Sequence, residues 1–347
     1  MRKSVFGAAW RLRSFFGSNV GPARSAAEER SRRRSHGDGG LRQARNSRNR
    51  GETTLLATFC NVRDRSKPVV AAIDLRHGTP DIRWIELKGG AFVRGATGLC
   101  FWNDLICVAH QGAPGTPHGF VLLDPGSDFE QVYEGTLPRP AGVHSVCSRD
   151  TDLYFVTSRR DSVYRATLDG RSGEWVCSLY WTFPGSSGEE DENHLNAIEC
   201  VDGDLYVSGF GERASDQWPS ATHGFVLNID RDEYVMEGIY HPHSLLEDSN
   251  TLWTCSSAKN RLLSNNGDGH EFPPGYVRGL AIAEDGFYVG SSKRRRISES
   301  TGAVNRREPG EFEGTCCVYR LDRGADQAAV LVDLSDVRKE IYELMLL

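Results

Sequence analysis

The chain has 347 residues, a formal net charge of −6, 39% hydrophobic and 10% aromatic residues, and 37 glycines against three methionines. That length suits one large domain or two ordinary ones, and the glycine-rich, methionine-poor balance fits a turn-rich β protein better than a helical one. No apolar run approaches the ~20 residues of a membrane-spanning helix, and the nine cysteines lack CxxC pairs, zinc-finger spacing and the even count of a disulfide framework.

Residues 1–50 stand apart from the rest. They carry 13 Lys and Arg against three acids, a net +10, which leaves −16 for residues 51–347. A body that acidic is not expected to bind nucleic acid through its general field. The stretch SVFGAAWRLRSFFG can form an amphipathic helix with Val5, Ala9, Leu12 and Phe16 on one face. Arg-rich, acid-poor and amphipathic is the pattern of a mitochondrial transit peptide, and a disordered basic extension is the alternative. Free cysteines point to a reducing compartment. A cytoplasmic location is expected, or a mitochondrial one if residues 1–30 act as a transit peptide.

From about residue 53 the apolar segments follow a repeated order. LLATF, VVAAID and IRWIEL come first, at 55–87. Then come five copies of a tetrapeptide with an apolar residue, a variable polar residue, a tiny residue and a branched apolar one: ATGL, VHSV, LNAI, PHSL and VRGL. The variable positions are Thr97, His144, Asn196, His243 and Arg278, and a degenerate copy, IYEL, puts Tyr342 at the same point. After a turn rich in Asp, Asn or Gly comes an apolar burst such as LYFV, LYV, LWT or FYV. Apolar runs ending at Asp74, Asp124, Asp169, Asp230, Asn265 and Asp322 mark a third strand in each unit. Outer strands complete the units at IRWIEL, EQVYEGT, EWVCSLYW, EYVMEGIY, GHEF and AAVLVDL.

Spacings of 47, 52, 47, 35 and 64 residues between the variable positions are those of an array of supersecondary units. Four antiparallel strands repeated six times predict an all-β, six-bladed β-propeller over 53–347. The N-terminal strands have no motif strand before them, and EIYELMLL has no hairpin after it. Joining the two in one blade closes the ring and removes the free sheet edges. A pair of β-sandwiches is the other all-β arrangement, but it would not generate six matched marks.

The propeller gives the variable positions a meaning. The tiny residue fits where inner strands crowd the axis, and the polar residue before it stands at the channel mouth. Thr97, His144, Asn196, His243, Arg278 and Tyr342 are therefore expected to ring one mouth, the default place for a ligand. The loops joining second and third strands open at the same face. They hold thirteen basic residues, among them Arg159, Arg160 and Lys259, against eight acids. A focused positive field predicts an anionic small molecule. His144, His243, Arg278 and Tyr342 are the candidates for catalysis, and Thr97, Asn196, Arg159, Arg160 and Lys259 for binding. His194 and His241, each two residues before a ring position, share its strand face. With His144 and His243 they are candidate ligands for a divalent transition metal such as zinc. The competing expectation is a non-catalytic scaffold that binds a partner protein across the basic rim.

At HLNAIECVDGDLYVSGFGE, HPHSLLEDSNTLWTCSSAKNRL, GYVRGLAIAEDGFYVGSSKRR and EIYELMLL the chain resembles the domain-of-unknown-function 4915 family, an uncharacterised group of propellers. LNA stands here where the family more often has LNG, which keeps a tiny residue at that place. The resemblance covers most of 53–347 and implies the fold without implying an activity. By wider analogy of fold, gluconolactonase-type propellers use a Glu/Asn/Asp metal set that this ring lacks. Amidating lyases use histidine-bound zinc with Arg and Tyr, residue types that the ring contains.

Overall fold

A computed structural model describes residues 54–347 except 63, 65, 77–78, 89–92, 113–115, 139–141, 189, 296–303 and 305–313. The segment 1–50, and the rim residues Arg63, Arg65, Arg296, Arg306 and Arg307, lie outside the described residues.

Six four-stranded antiparallel sheets make up the described chain. The second blade runs β4 (Val93–Trp102), β5 (Leu105–Gly112), β6 (Gly119–Asp124) and β7 (Glu130–Thr136). The third runs β8 (Val143–Arg149), β9 (Asp152–Thr157), β10 (Ser162–Leu168) and β11 (Trp175–Thr182). The fourth is β12 (Leu195–Val201), β13 (Asp204–Gly209), β14 (Gly224–Asn228) and β15 (Glu233–Ile239). The fifth is β16 (Pro242–Asp248), β17 (Thr251–Ser256), β18 (Arg261–Ser264) and β19 (Gly269–Glu271). The sixth is β20 (Tyr276–Ala283), β21 (Gly286–Ser292), β22 (Cys317–Asp322) and β23 (Ala329–Asp333). The first blade joins both ends of the described chain: β1 (Thr54–Phe59), β2 (Val70–Asp74) and β3 (Asp81–Ile85) accept β24 (Ile341–Leu346) as their innermost strand. The six-bladed ring is closed as the sequence predicts, with Leu55 opposite Leu346 and Ala57 opposite Leu344.

Middle strands are sandwiched between blades, so they read as unbroken apolar runs, whereas outer strands alternate. GFVLLD in β6 is buried at five of its six positions, while EQVYEGT in β7 exposes every second residue up to Glu134. Between the second and third blades Trp175 packs on Trp102 and Phe120, with ring centroids 4.9 and 5.4 Å away. Such pairs add about 0.5–1.5 kcal/mol each beyond burial. In β12–β13 the two-residue turn Asp202–Gly203 has both φ values positive, 51° and 89°, the geometry that matches hairpin twist.

A feature of the inner strands was not expected from sequence. The pairing register shifts at or beside all six variable positions: between Ala96 and Gly98, Val143 and Ser145, Leu195 and Ala197, His243 and Leu245, Val277 and Leu280, and opposite Thr58 in β24. A bulge leaves a residue out of the ladder and re-aims its side chain. In five blades the residue left out includes the variable one; in the fifth blade it is Ser244, and His243 stays opposite Cys255.

Candidate functional site at the channel mouth

Of the ring residues, Asn196, His243, Arg278 and Tyr342 are at most 5% exposed and His144 is half-buried. Blades three, four and one meet through hydrogen bonds. The Tyr342 hydroxyl lies 3.2 Å from Asn196 Oδ1 and in a short contact with His144 Nδ1. If the hydroxyl donates to the amide oxygen, His144 must carry its proton on Nδ1 and donate to the phenol oxygen. That choice serves both close contacts, and the 3.4 Å approach of Asn196 Nδ2 to the same nitrogen then carries no bond.

His243 is tied in the same sense. Its Nδ1 is 3.2 Å from the His241 carbonyl oxygen, which can only accept, and 2.8 Å from Ser257 Oγ. Its proton therefore belongs on Nδ1. His194 Nδ1 lies 2.9 Å from Asp191 Oδ2, again the donor. His243 and His194 thus spend Nδ1–H on the protein, His144 meets Tyr342 and Asn196 through Nδ1, and none of the three Nε2 atoms has a hydrogen-bond partner among the described residues. Burial, reinforced by the His194 imidazole and the Arg278 cation, holds His144 well below the usual histidine range. Burial and then Arg278 do the same to His243, so both rings are neutral near pH 7.

Arg278 is not a free cation. Its guanidinium meets Glu340 Oε2 at 2.7 Å, Ser292 Oγ at 3.2 Å and Cys60 Sγ at 3.3 Å, and it lies 4.9 Å from the Tyr342 ring centroid. Arg295 closes on the same carboxylate, with Nε 2.8 Å from Oε1. Two guanidinium groups thus share one carboxylate beside the ring residues. Burial alone would raise the Glu340 carboxyl, but Arg295 and Arg278 outweigh it and hold the group far below the carboxylate range.

The other expected residues fall in different places. Thr97 is fully buried and gives its hydroxyl to the Val143 carbonyl at 3.1 Å, so it ties two inner strands together. His241 uses both nitrogens, toward Tyr276 Oη at 3.0 Å and the Trp218 carbonyl at 2.9 Å, and stacks flat on Phe210 at 4.3 Å. It has no lone pair left for a metal. Among the described residues no group of three or more His, Cys, Asp or Glu is gathered closely enough to hold a metal ion. Arg159 and Lys259 are exposed at the rim and Arg160 is half-buried, and Lys259 Nζ rests 4.4 Å over the Tyr240 ring.

Sequence reasoning missed Glu340 and Trp218. Glu340 lies two residues before Tyr342, immediately outside the four positions that define the repeat. Trp218 belongs to the β13–β14 loop, whose short 3-10 turn Trp218–Ser220 brings its ring within 4.5 Å of His194. Behind the ring sits Glu343, whose Oε1 accepts from Ser244 Oγ at 3.0 Å and the Leu280 amide at 3.1 Å. It joins three inner strands of three blades beneath Tyr342.

A closed six-bladed ring, with His144, Asn196 and Tyr342 brought into contact from three blades, defines the class: a β-propeller. The chain belongs to the family described as a domain of unknown function, DUF4915, whose model matches residues 141–347. No curated protein matches it in sequence. Among solved structures it is similar to a chain of a nidogen/laminin complex, with 11% identity, 85% of this chain and 98% of the other covered, and a TM-score of 0.57. A proposed 6-phosphogluconolactonase of Bacteroides fragilis matches with 10% identity, 87% and 99% coverage and a TM-score of 0.51. At such identities the likeness shows the fold alone.

Proposed function

We propose that the channel mouth binds a small anionic molecule, a carboxylate or phosphate, and acts on it by proton transfer. The observation that carries the reading is the convergence of His144, Asn196 and Tyr342 from three blades, beside two guanidinium groups that share one carboxylate. Guanidinium groups at a buried site attract an anion more strongly than they would in water. Tyr342 and the histidines then supply groups able to give or take a proton. Among the described residues no three His, Cys, Asp or Glu are gathered closely enough for a zinc ion, and the reading does not include one.

The test is thermal unfolding of the protein against a panel of small carboxylates and phosphates, inorganic phosphate included. Arg295→Ala is the informative variant, because it leaves Arg278 and Glu340 as a neutral pair and orphans neither. The wild type is expected to rise by several degrees with a binding anion, as ligand linkage requires, and Arg295→Ala to rise much less. Equal rises in both would overturn the reading. If Arg159→Ala and Lys259→Ala alone abolished the capture of a protein partner while ring variants did not, the scaffold reading would stand in its place.

A further inference from the structure

Asp191 and His194 lie outside the repeated tetrapeptide. Asp191 Oδ2 is 2.9 Å from His194 Nδ1. The His194 ring is held between Phe210 and Trp218, each with its centroid 4.5 Å away, and meets His144 edge-on at 4.9 Å. Arg213 lies 4.3 Å over Trp218 and donates to the Asp191 carbonyl at 3.3 Å. What fixes this loop is Asp161, a fully buried carboxylate of the β9–β10 connection. Its Oδ2 accepts from the amides of Glu192 at 3.1 Å and Asn193 at 2.7 Å and from Asn193 Nδ2 at 3.2 Å, and its Oδ1 faces the Leu195 amide at 3.4 Å. Those groups flank His194 on both sides.

Asp161 and His194 both hold left-handed backbone, with φ of 42° and 51°. Non-glycine residues adopt it at a cost of order 1–3 kcal/mol, and such strain gathers at functional sites. The His194 side chain remains 10% exposed, and its Nε2 has no partner among the described residues.

We propose that His194, backed by Asp191, is the proton acceptor of the mouth, and that Asp161 is the positioning residue that aims the pair. The proposal rests on the small-molecule reading above and names the ligand more closely, as an anion that carries an ionisable proton. The proton passes to Nε2 and forms the N–H bond, while the electron pair stays on the ligand atom that held it. The resulting imidazolium keeps its Nδ1–H on the Asp191 carboxylate, which stabilises the new charge. His144 and His243 face Arg278 without a carboxylate of their own. They serve as hydrogen-bond acceptors through Nε2.

Two measurements without ligand test this. Long-range proton–nitrogen NMR of the 15N-labelled protein reports which imidazole nitrogen carries hydrogen. His194 is expected as the Nδ1–H form, and the Nε2–H form would overturn the proposal. Acylation by diethyl pyrocarbonate, followed by peptide mass spectrometry, reports the nucleophilicity of Nε2. Asp191→Ala is expected to slow His194 acylation several-fold while exposed His223, the internal reference, is unchanged. Asp161→Asn is expected to slow it likewise and to mix the two tautomers. Identical His194 rates in wild type and Asp191→Ala would sink the idea. An intact tautomer and reactivity with no anion-induced thermal shift would instead remove the small-molecule reading on which the proposal rests.

Discussion

The Arg278 guanidinium and the Glu340 carboxylate meet at 2.7 Å with side chains only 4% and 10% exposed, and Arg295 shares the same carboxylate. Glu340→Ala would leave two cations facing each other in a site from which water is largely excluded. Removing one partner of a buried pair typically costs about 3–5 kcal/mol. Urea unfolding at pH 7 should show a loss of that size for Glu340→Ala and a smaller one for Arg295→Ala, which leaves a matched pair. Equal losses would mean that the carboxylate is not the hub. Because the two guanidinium groups hold this carboxyl far below its ordinary range, its contribution is complete above that range and is lost as the pH falls below it.

Glu343 gives the opposite pH limb. Burial pushes its carboxyl up to about 7, against the lowering effect of its bonds to Leu280, Ser244 and Leu344. Burial raises Glu199 to about 8, with Glu343 and Glu247 adding repulsion. A folded-state value above the unfolded one means that the folded protein holds more protons in that window. Stability is therefore complete below pH ~4.5 for these groups and falls as the pH rises toward 7 and 8. Chemical denaturation of the wild type between pH 5 and 8.5 should show this decline, on the order of 3 kcal/mol per group. Glu343→Gln keeps a neutral side chain at all pH values and should make the decline shallower, leaving the part due to Glu199; a slope equal to that of the wild type would refute the assignment.

The repeat was legible because packing imposes it. Hairpins demand Asp, Asn or Gly, blade interfaces demand apolar middle strands, and at Gly98 the next inner strand leaves no room for a Cβ. The variable position was legible too, and His144, Asn196 and Tyr342 come together from three blades. Which of them is free to meet a ligand was not, since that depends on contacts between distant parts of the chain. Thr97 lost its hydroxyl to the neighbouring strand. His241 became a wedge between Phe210 and Tyr276. Arg278 acquired a carboxylate from 62 residues away. The bulges escaped notice because a bulge changes the pairing, not the pattern of residues.

His110 is a buried imidazole without a partner. It is 2% exposed, and neither ring nitrogen finds a hydrogen bond among the described residues. Burial, with the nearby His118 adding to it, lowers the ring to about 4. Below pH ~6.5 the unfolded chain takes up a proton that the folded chain refuses, so stability is lost as the pH falls from there toward 4. His110→Leu removes two unsatisfied polar atoms and the titration together. It should stabilise the protein by about 1 kcal/mol at pH 7 and by more at pH 5. Thermal melts that show destabilisation at both pH values would mean that His110 has a partner in solution.

Gly98 tests whether crowding at the axis selects the tiny residue. A methyl group placed on it would lie 2.8 Å from the Val146 amide nitrogen and 2.9 Å from Ser145 Cα. Both are backbone atoms of the next inner strand, which cannot yield as a flexible side chain would. Ser145, Ala197 and Ser244 fill the same motif position in other blades, so the restriction belongs to this junction and not to the position in general. Gly98→Ala must separate β4 from β8, and overpacking of this kind costs about 1–3 kcal/mol. Ala197→Gly, at the corresponding place in β12, should cost less, because it empties a small volume without displacing a strand. Urea denaturation of the two variants side by side decides the matter: a Gly98→Ala loss no larger than that of Ala197→Gly would show that the inner strands have room to part.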